Sequence, residues 1–309
     1  MVSKLRILVV DPIHIKLRNY IEEKFTVTVK HPITQQEIIQ CINKYDILIL
    51  RSGAQVDSEL LSHGKNLRAI IRAGTGTDNI DLHALYNAKI LFYNTPNTNS
   101  RAVAELSIGL MHCLFRHIKR ASNEIETNIW NKKSLMGFEL TNKKLGLIGF
   151  GSIGQEIANI AKGYNMLVSC TVAHYSTKRA ADMNTKNITL FNHLEELMAF
   201  NDILVVCCPY TNSTKNLINK DNLCYLNPTS ILINVARGGV VSEQDLYHSL
   251  INKNIYGAAS DVFEHERKIS PLFTLNNFIG TPHIGAMTNE SQEKIADLII
   301  QFLKQEFSD

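Results

Sequence analysis

The sequence predicts an α/β protein made of two Rossmann-like or flavodoxin-like, doubly wound parallel-sheet domains with a cleft between them. Short β-branched runs alternate with helix-length amphipathic segments along the whole chain, the pattern of parallel strands joined by covering helices. A turn-rich stretch, Asn94-Thr-Pro-Asn-Thr-Asn-Ser100, separates an earlier set of runs from a later one. The later set contains a Gly-x-Gly-x-x-Gly motif (Gly149, Gly151, Gly154) directly after an apolar run. At 309 residues and 45% hydrophobic content, the chain can fill two cores.

Taken in order, strands are expected at 5–10, 46–50, 68–72 and 90–93, where Ile, Leu and Val dominate. The turn at 94–100 marks a hinge, and Ser100 or Asn99 can cap the helix beyond it. Val103, Leu106, Leu110, Leu114 and Ile118 keep steps of three or four, so one long helix with a buried face should run through them. Strands follow at 144–149, 166–171, 202–207, 230–235, 256–260 and 277–280. Pro282 and Gly285 bracket a second crossing, and a final helix from Asn289 to Phe307 should return to the first domain. The expected division is 1–97 with 285–309 as a substrate-binding domain, and 98–284 as a dinucleotide-binding domain.

Composition excludes other classes. Thirty-two basic against 29 acidic residues give a net charge of +3, too small for a nucleic-acid footprint. No uncharged stretch approaches membrane-spanning length, and the apolar run before Asp11 is too short for a secretory leader. The six cysteines form no Cys-x-x-Cys pair and no metal-ligand set is expected, which fits a soluble protein of the reducing cytoplasm.

The glycine motif lies between a strand and a helix. There Gly149 would allow the tight turn, Gly151 a close approach of a pyrophosphate, and Gly154 close helix–strand packing, with the helix N-terminus facing the anion. An acidic residue about 20 positions on would normally bind the ribose of NAD. None occurs between Glu156 and Asp182; the strand runs instead into Val172, His174, Ser176, Lys178 and Arg179. NAD is the first expectation, and NADP is an alternative if those neutral and basic groups meet a 2′-phosphate.

Three later strands end in polar residues, where open α/β sheets place ligands. The run 231–236 delivers Arg237, a bidentate partner for a carboxylate, followed by two glycines. The run 257–260 ends in Asp261, with Glu264 and Glu266 beyond, and 280–282 leads to His283, a residue suited to proton transfer beside a carboxylate. Singly, each has a bland reading as a surface turn, a solvated acid or a buried histidine.

Together with 72–81 (Arg-Ala-Gly-Thr-Gly-Thr-Asp-Asn-Ile-Asp), Asn94–Ser100 and Ala104-Glu-Leu, these motifs span nearly the whole chain, which resembles the D-2-hydroxyacid dehydrogenases. The resemblance implies that Arg237 binds the substrate carboxylate, Glu266 supports His283, and His283 exchanges the C2 hydroxyl proton. It implies NAD contacts from Gly149, Gly151, Ser152, Ile153, Gly154, Val172, Pro209, Thr214, Val235, Ala236, Asp261 and Gly285, with Asp261 on the nicotinamide carboxamide. It places Ala73, Gly74, Thr75, Gly76 and Asn99 around the substrate, with Arg51 and Arg72 contacting its phosphate, and lets Lys132 and Lys133 reach a neighbour's site in a homodimer. A small anionic 2-hydroxy or 2-keto acid is the expected partner, with 3-phosphoglycerate first, glyoxylate or hydroxypyruvate next, and an NAD-sensing corepressor-like protein as the reading from another class. Two departures stand out: Val172 replaces the family's ribose-binding aspartate, and Arg267 replaces the proline that often follows the glutamate. With the sequence ending at Asp309, control by serine through a C-terminal domain is not expected.

Overall fold

The computed structural model describes residues 4–266 and 268–307, so Arg267 lies outside the described residues. Two compact units are formed, one from the residues up to Asn99 together with those from Ala286 onward, the other from Ser100–Gly285.

The first unit holds β1 (Arg6–Val9), β2 (Thr26–Val29), β3 (Ile47–Leu50), β4 (Ala69–Arg72) and β5 (Leu91–Asn94), all parallel, in the order β2-β1-β3-β4-β5. That is the flavodoxin-like winding. The two-residue period of a strand divides the side chains cleanly. Ile7, Val9, Ile47, Ile49, Ala69 and Ile71 meet the helices Ile15–Lys24 and Asn289–Phe307, while Leu8, Leu48, Leu50 and Ile70 meet Ile38, Leu60 and Leu85 on the other side. Because both faces are covered, β1, β3 and β4 read as unbroken apolar runs.

The second unit holds β6 (Lys144–Ile148), β7 (Leu167–Thr171), β8 (Ile188–Phe191), β9 (Ile203–Val206), β10 (Ile231–Asn234), β11 (Gly257–Ser260) and β12 (Phe278–Gly280). These are parallel in the order β12-β11-β10-β9-β6-β7-β8. The order reverses direction between β6 and β9, the switch point at which the Rossmann winding opens a crevice beyond the carboxyl ends of the strands.

Three expectations need correction. β2 and β8 were not expected: both are edge strands, and with Thr26 and Val29 exposed, β2 never becomes the continuous apolar run that marks a buried strand. The long helix expected through Ile118 ends at Phe115 and a second one, Ile118–Glu126, follows. His117 adopts a left-handed backbone (φ 53°) that breaks the helix, and its ring is held by the Tyr256 hydroxyl at 2.8 Å and the Met136 carbonyl at 3.2 Å. Ser100 is the first residue of the helix rather than its cap, and its hydroxyl is buried with no partner among the described residues. Among the described residues no helix is long and apolar enough to cross a membrane.

Candidate active site

Three glycines follow β6, and they differ in what demands them. Gly149 has φ 97°, and a Cβ there would lie 2.9 Å from the Cys208 amide nitrogen. At Gly154 a Cβ would lie 2.9 Å from the Gly149 carbonyl. Both positions are therefore closed to side chains by the protein's own atoms. Gly151 is not, since a Cβ there would meet nothing within 4 Å. It precedes the helix Ser152–Gly163 and offers no side-chain cap, so the first-turn amides, Ser152 and Ile153 among them, face open space at the positive end of the helix. The space above Gly151 and the uncapped amides fit a pyrophosphate.

Beyond β7, Val172 packs on the apolar cluster that includes Leu147 and Cys170 and offers no hydrogen bond. Ser176 is occupied as a helix cap, accepting from the Arg179 amide at 3.2 Å, while His174 and Lys178 are exposed. After β9, Thr214 donates to the Pro209 carbonyl at 2.7 Å and closes the 209–214 loop on itself. Burial pushes the thiols beside the glycine turn up, Cys208 to about 11 and Cys207 further.

The ends of β10, β11 and β12 carry the titratable residues. Parallel pairing of Ser260 with Gly280 sets Asp261 beside Thr281. The Asp261 carboxylate, 2% exposed, accepts three bonds from the same turn: Thr281 Oγ1 at 2.7 Å, the Ile284 amide at 2.8 Å and the Gly285 amide at 2.8 Å. Within that turn His283 takes a left-handed backbone (φ 54°), and its amide donates to the Asp261 carbonyl at 2.8 Å. Its ring Nδ1 lies 2.6 Å from Glu266 Oε1. With the shared proton on Nδ1, the neutral ring keeps its lone pair on Nε2.

Arg237 is presented by an Asx-type turn at the end of β10. Asn234 Oδ1 accepts from the Ala236 amide at 3.0 Å, Asn234 Nδ2 donates to the Arg237 carbonyl at 3.1 Å, and Val235 and Ala236 are buried. A Cβ at Gly238 would collide with the Phe263 carbonyl oxygen, so the arginine turn sits flush against the segment leading to Glu266.

Arg51, Arg72, Ala73, Gly74, Thr75, Gly76 and Asn99 belong to the first unit, and Lys132 and Lys133 to an exposed 3₁₀ turn of the second. Asn79, passed over in the sequence, links the two arginines: its Oδ1 accepts from Arg72 Nε at 3.1 Å and its Nδ2 donates to the Arg51 carbonyl at 2.9 Å. Arg51 Nη2 rests on the thioether of Met287 at 3.4 Å, a weak acceptor, and burial lowers the affinity of the guanidinium for its proton. Thr75 donates to Asn99 Oδ1 at 2.9 Å. Asn234 and Thr281 were likewise missed. Their one signal in the sequence is a polar residue at the end of, or just after, a buried strand.

A reversed parallel sheet with a glycine turn at its switch point defines a dinucleotide-binding domain of the Rossmann class. Residues 108–285 match the family model described as D-isomer specific 2-hydroxyacid dehydrogenase, NAD binding domain. The chain belongs to that family of NAD-dependent oxidoreductases. It is 36% identical over 301 residues to a D-3-phosphoglycerate dehydrogenase of Methanocaldococcus jannaschii, covering 97% of this chain but 57% of that protein. It is also 36% identical over 289 residues to a hydroxypyruvate reductase of Thermotoga maritima, covering 92% of each. The solved D-lactate dehydrogenase of Aquifex aeolicus, complexed with NAD and lactic acid, superposes with a TM-score of 0.83 at 25% identity, covering 97% of this chain and 94% of that one.

Proposed function

We propose that the chain oxidises 3-phosphoglycerate to 3-phosphohydroxypyruvate with NAD, its first unit binding substrate and its second binding the dinucleotide. The observation that carries the reaction is the 2.6 Å contact between His283 Nδ1 and Glu266 Oε1. It leaves Nε2 as the basic atom that takes the C2 hydroxyl proton, while the Glu266 carboxylate stabilises the ring that becomes charged. Arg237 grips the substrate carboxylate and polarises the C2 oxygen. NAD, when bound on the uncapped helix end beside Gly151, supplies the acceptor for the hydride. Pro209, Thr214, Val235, Ala236 and Gly285 surround that site from neighbouring strand ends. Asp261 uses three of a carboxylate's four lone-pair positions on the 281–285 turn and keeps one for the carboxamide of the nicotinamide.

Support for a phosphorylated substrate comes from Arg51, a half-buried cation whose Nη2 donates to the soft sulfur of Met287, a weak acceptor that a phosphate would outmatch. Arg72, Thr75, Gly76 and Asn99 supply further donors and acceptors in the same unit. Coverage of 92% of a hydroxypyruvate reductase, at the identity shared with the phosphoglycerate dehydrogenase, favours reduction of glyoxylate or hydroxypyruvate as the second reading. A homodimer is part of the proposal. Ile125, Ile129, Trp130 and Met136 are each at least half exposed in one stretch that also holds Lys132 and Lys133, an apolar patch suited to burial against a second copy.

The test is a panel of 2-hydroxy and 2-keto acids, each assayed by nicotinamide absorbance with NAD(H) and NADP(H). The expected result is the highest kcat/KM for 3-phosphoglycerate with NAD, and a KM for it raised on the order of tenfold by Arg51→Gln, as loss of one charge-assisted contact would give. Equal activity of Arg51→Gln with preference for an unphosphorylated keto acid would transfer the assignment to the reductases. Dinucleotide binding without turnover of any acid would favour the corepressor-like reading.

A further inference from the structure

We propose that Glu243 is a positioning residue for the acid–base pair, acting through the segment that carries Glu266; this rests on the reading of His283 and Glu266 given above. Glu243 is the first residue of the helix Glu243–Ile251, whose N-cap is Ser242. A carboxylate in the first turn of a helix is ordinarily a solvated complement to the helix dipole. This one is half-buried and bonded to a different part of the chain. Its Oε1 accepts from the Glu264 amide at 2.7 Å and its Oε2 from the Ser270 hydroxyl at 2.7 Å, 21 and 27 residues away.

One rigid, planar group thereby fixes both ends of the segment 264–270, and Glu266 lies between them. Among the described residues in between, His265 and Lys268 are exposed and Ile269 is 91% exposed. Before the segment, Phe263 is anchored on Phe273, with ring centroids 5.0 Å apart, and after it Ser270 is buried. The hydrogen bond from His283 Nδ1 to Glu266 Oε1 tolerates little displacement of the segment that carries Glu266. Glu243 ties the segment down at both ends without touching either partner of the pair.

Three variants and one reference test this. Glu243→Ala removes both anchors and is expected to lower kcat about tenfold or more, the scale of cost for sub-ångström to 1 Å misplacement of a catalytic group, with NAD affinity unchanged. Glu243→Gln keeps one acceptor oxygen for the Glu264 amide and offers an N–H to the Ser270 oxygen, so it should restore most of kcat. The ring proton shared by His283 and Glu266 gives a far-downfield proton resonance in the intact enzyme, which should vanish in Glu243→Ala and persist in Glu243→Gln. Wild-type kcat and an unmoved resonance in Glu243→Ala would overturn the proposal. So would equal damage to kcat, NAD binding and Tm in both Glu243 variants. If Glu243→Ala does not fold, Ser270→Ala, which removes one anchor alone, carries the same readouts and the same overturning result. His283→Ala run in parallel separates the two levels: full turnover there defeats the underlying reading, whereas an inactive His283→Ala beside a fully active Glu243→Ala defeats this inference alone.

Discussion

Nδ1 of His283 is 2.6 Å from Oε1 of Glu266, a contact that turns the other ring nitrogen, Nε2, into the base of the proposed reaction. His283→Ala should lower kcat by ~10² to 10⁴, the range of a lost general base, while NAD titration by intrinsic fluorescence stays unchanged. Glu266→Gln keeps an acceptor for the Nδ1 proton but removes the charge that stabilises the protonated ring, so its loss of kcat should be smaller. A Glu266→Gln enzyme as impaired as His283→Ala would mean that the carboxylate does more than support the ring.

The glycine turn separates folding from binding. Gly149→Ala places a Cβ at φ 97° and 2.9 Å from a backbone nitrogen, and should cost at least about 1 kcal/mol in urea unfolding. Gly151→Ala meets no atom of the protein. It should leave the unfolding midpoint in place and raise the KM for NAD on the order of tenfold, equivalent to about 1.4 kcal/mol. An unchanged KM for NAD in Gly151→Ala would show that the open space above Gly151 is not where the dinucleotide comes close.

Val172→Asp puts a carboxylate at the end of β7, where NAD enzymes of this winding hold the ribose. The ratio of kcat/KM for NAD over NADP should rise on the order of tenfold, again about 1.4 kcal/mol. An unchanged ratio would locate cofactor choice elsewhere.

Cys208 binds its proton up to about 11 in the folded chain, against an ordinary thiol value of 9.0. The unfolded chain therefore releases protons first as pH rises. The associated stability is complete below the unfolded value and is lost as pH climbs through about 11. Urea midpoints should fall between pH 8 and 11, less steeply in Cys208→Ala. At pH 8 iodoacetamide should label the exposed Cys224 well before Cys207 or Cys208, as peptide mapping would show.

Much of this architecture is readable from the residues, and the gaps have physical causes. Strands buried on both faces announce themselves, as 46–50 does, because every side chain there must be apolar. The edge strand β2 escapes because its open edge lets Thr and Val alternate. The break at His117 escapes because the apolar spacing from Val103 to Ile118 continues through it, and a left-handed histidine held by a tyrosine hydroxyl has no local signature. Arg237, Glu266 and His283 are visible as strand-end residues. Thr281, Asn79 and Glu243 are not, because their partners come from other strands or loops and only the folded chain brings them together; Asn234 escapes because its local turn looks like any polar residue after a strand.

The Asp261 carboxylate also bears on how the chain can change. A single buried acid gathers a threonine and two amides from the turn that displays the imidazole, so that turn is tied to the end of the sheet at three points. Substrate gating must then be sought in other segments. A family member that lost this acid would keep every reactive side chain and still lose the alignment that makes them useful.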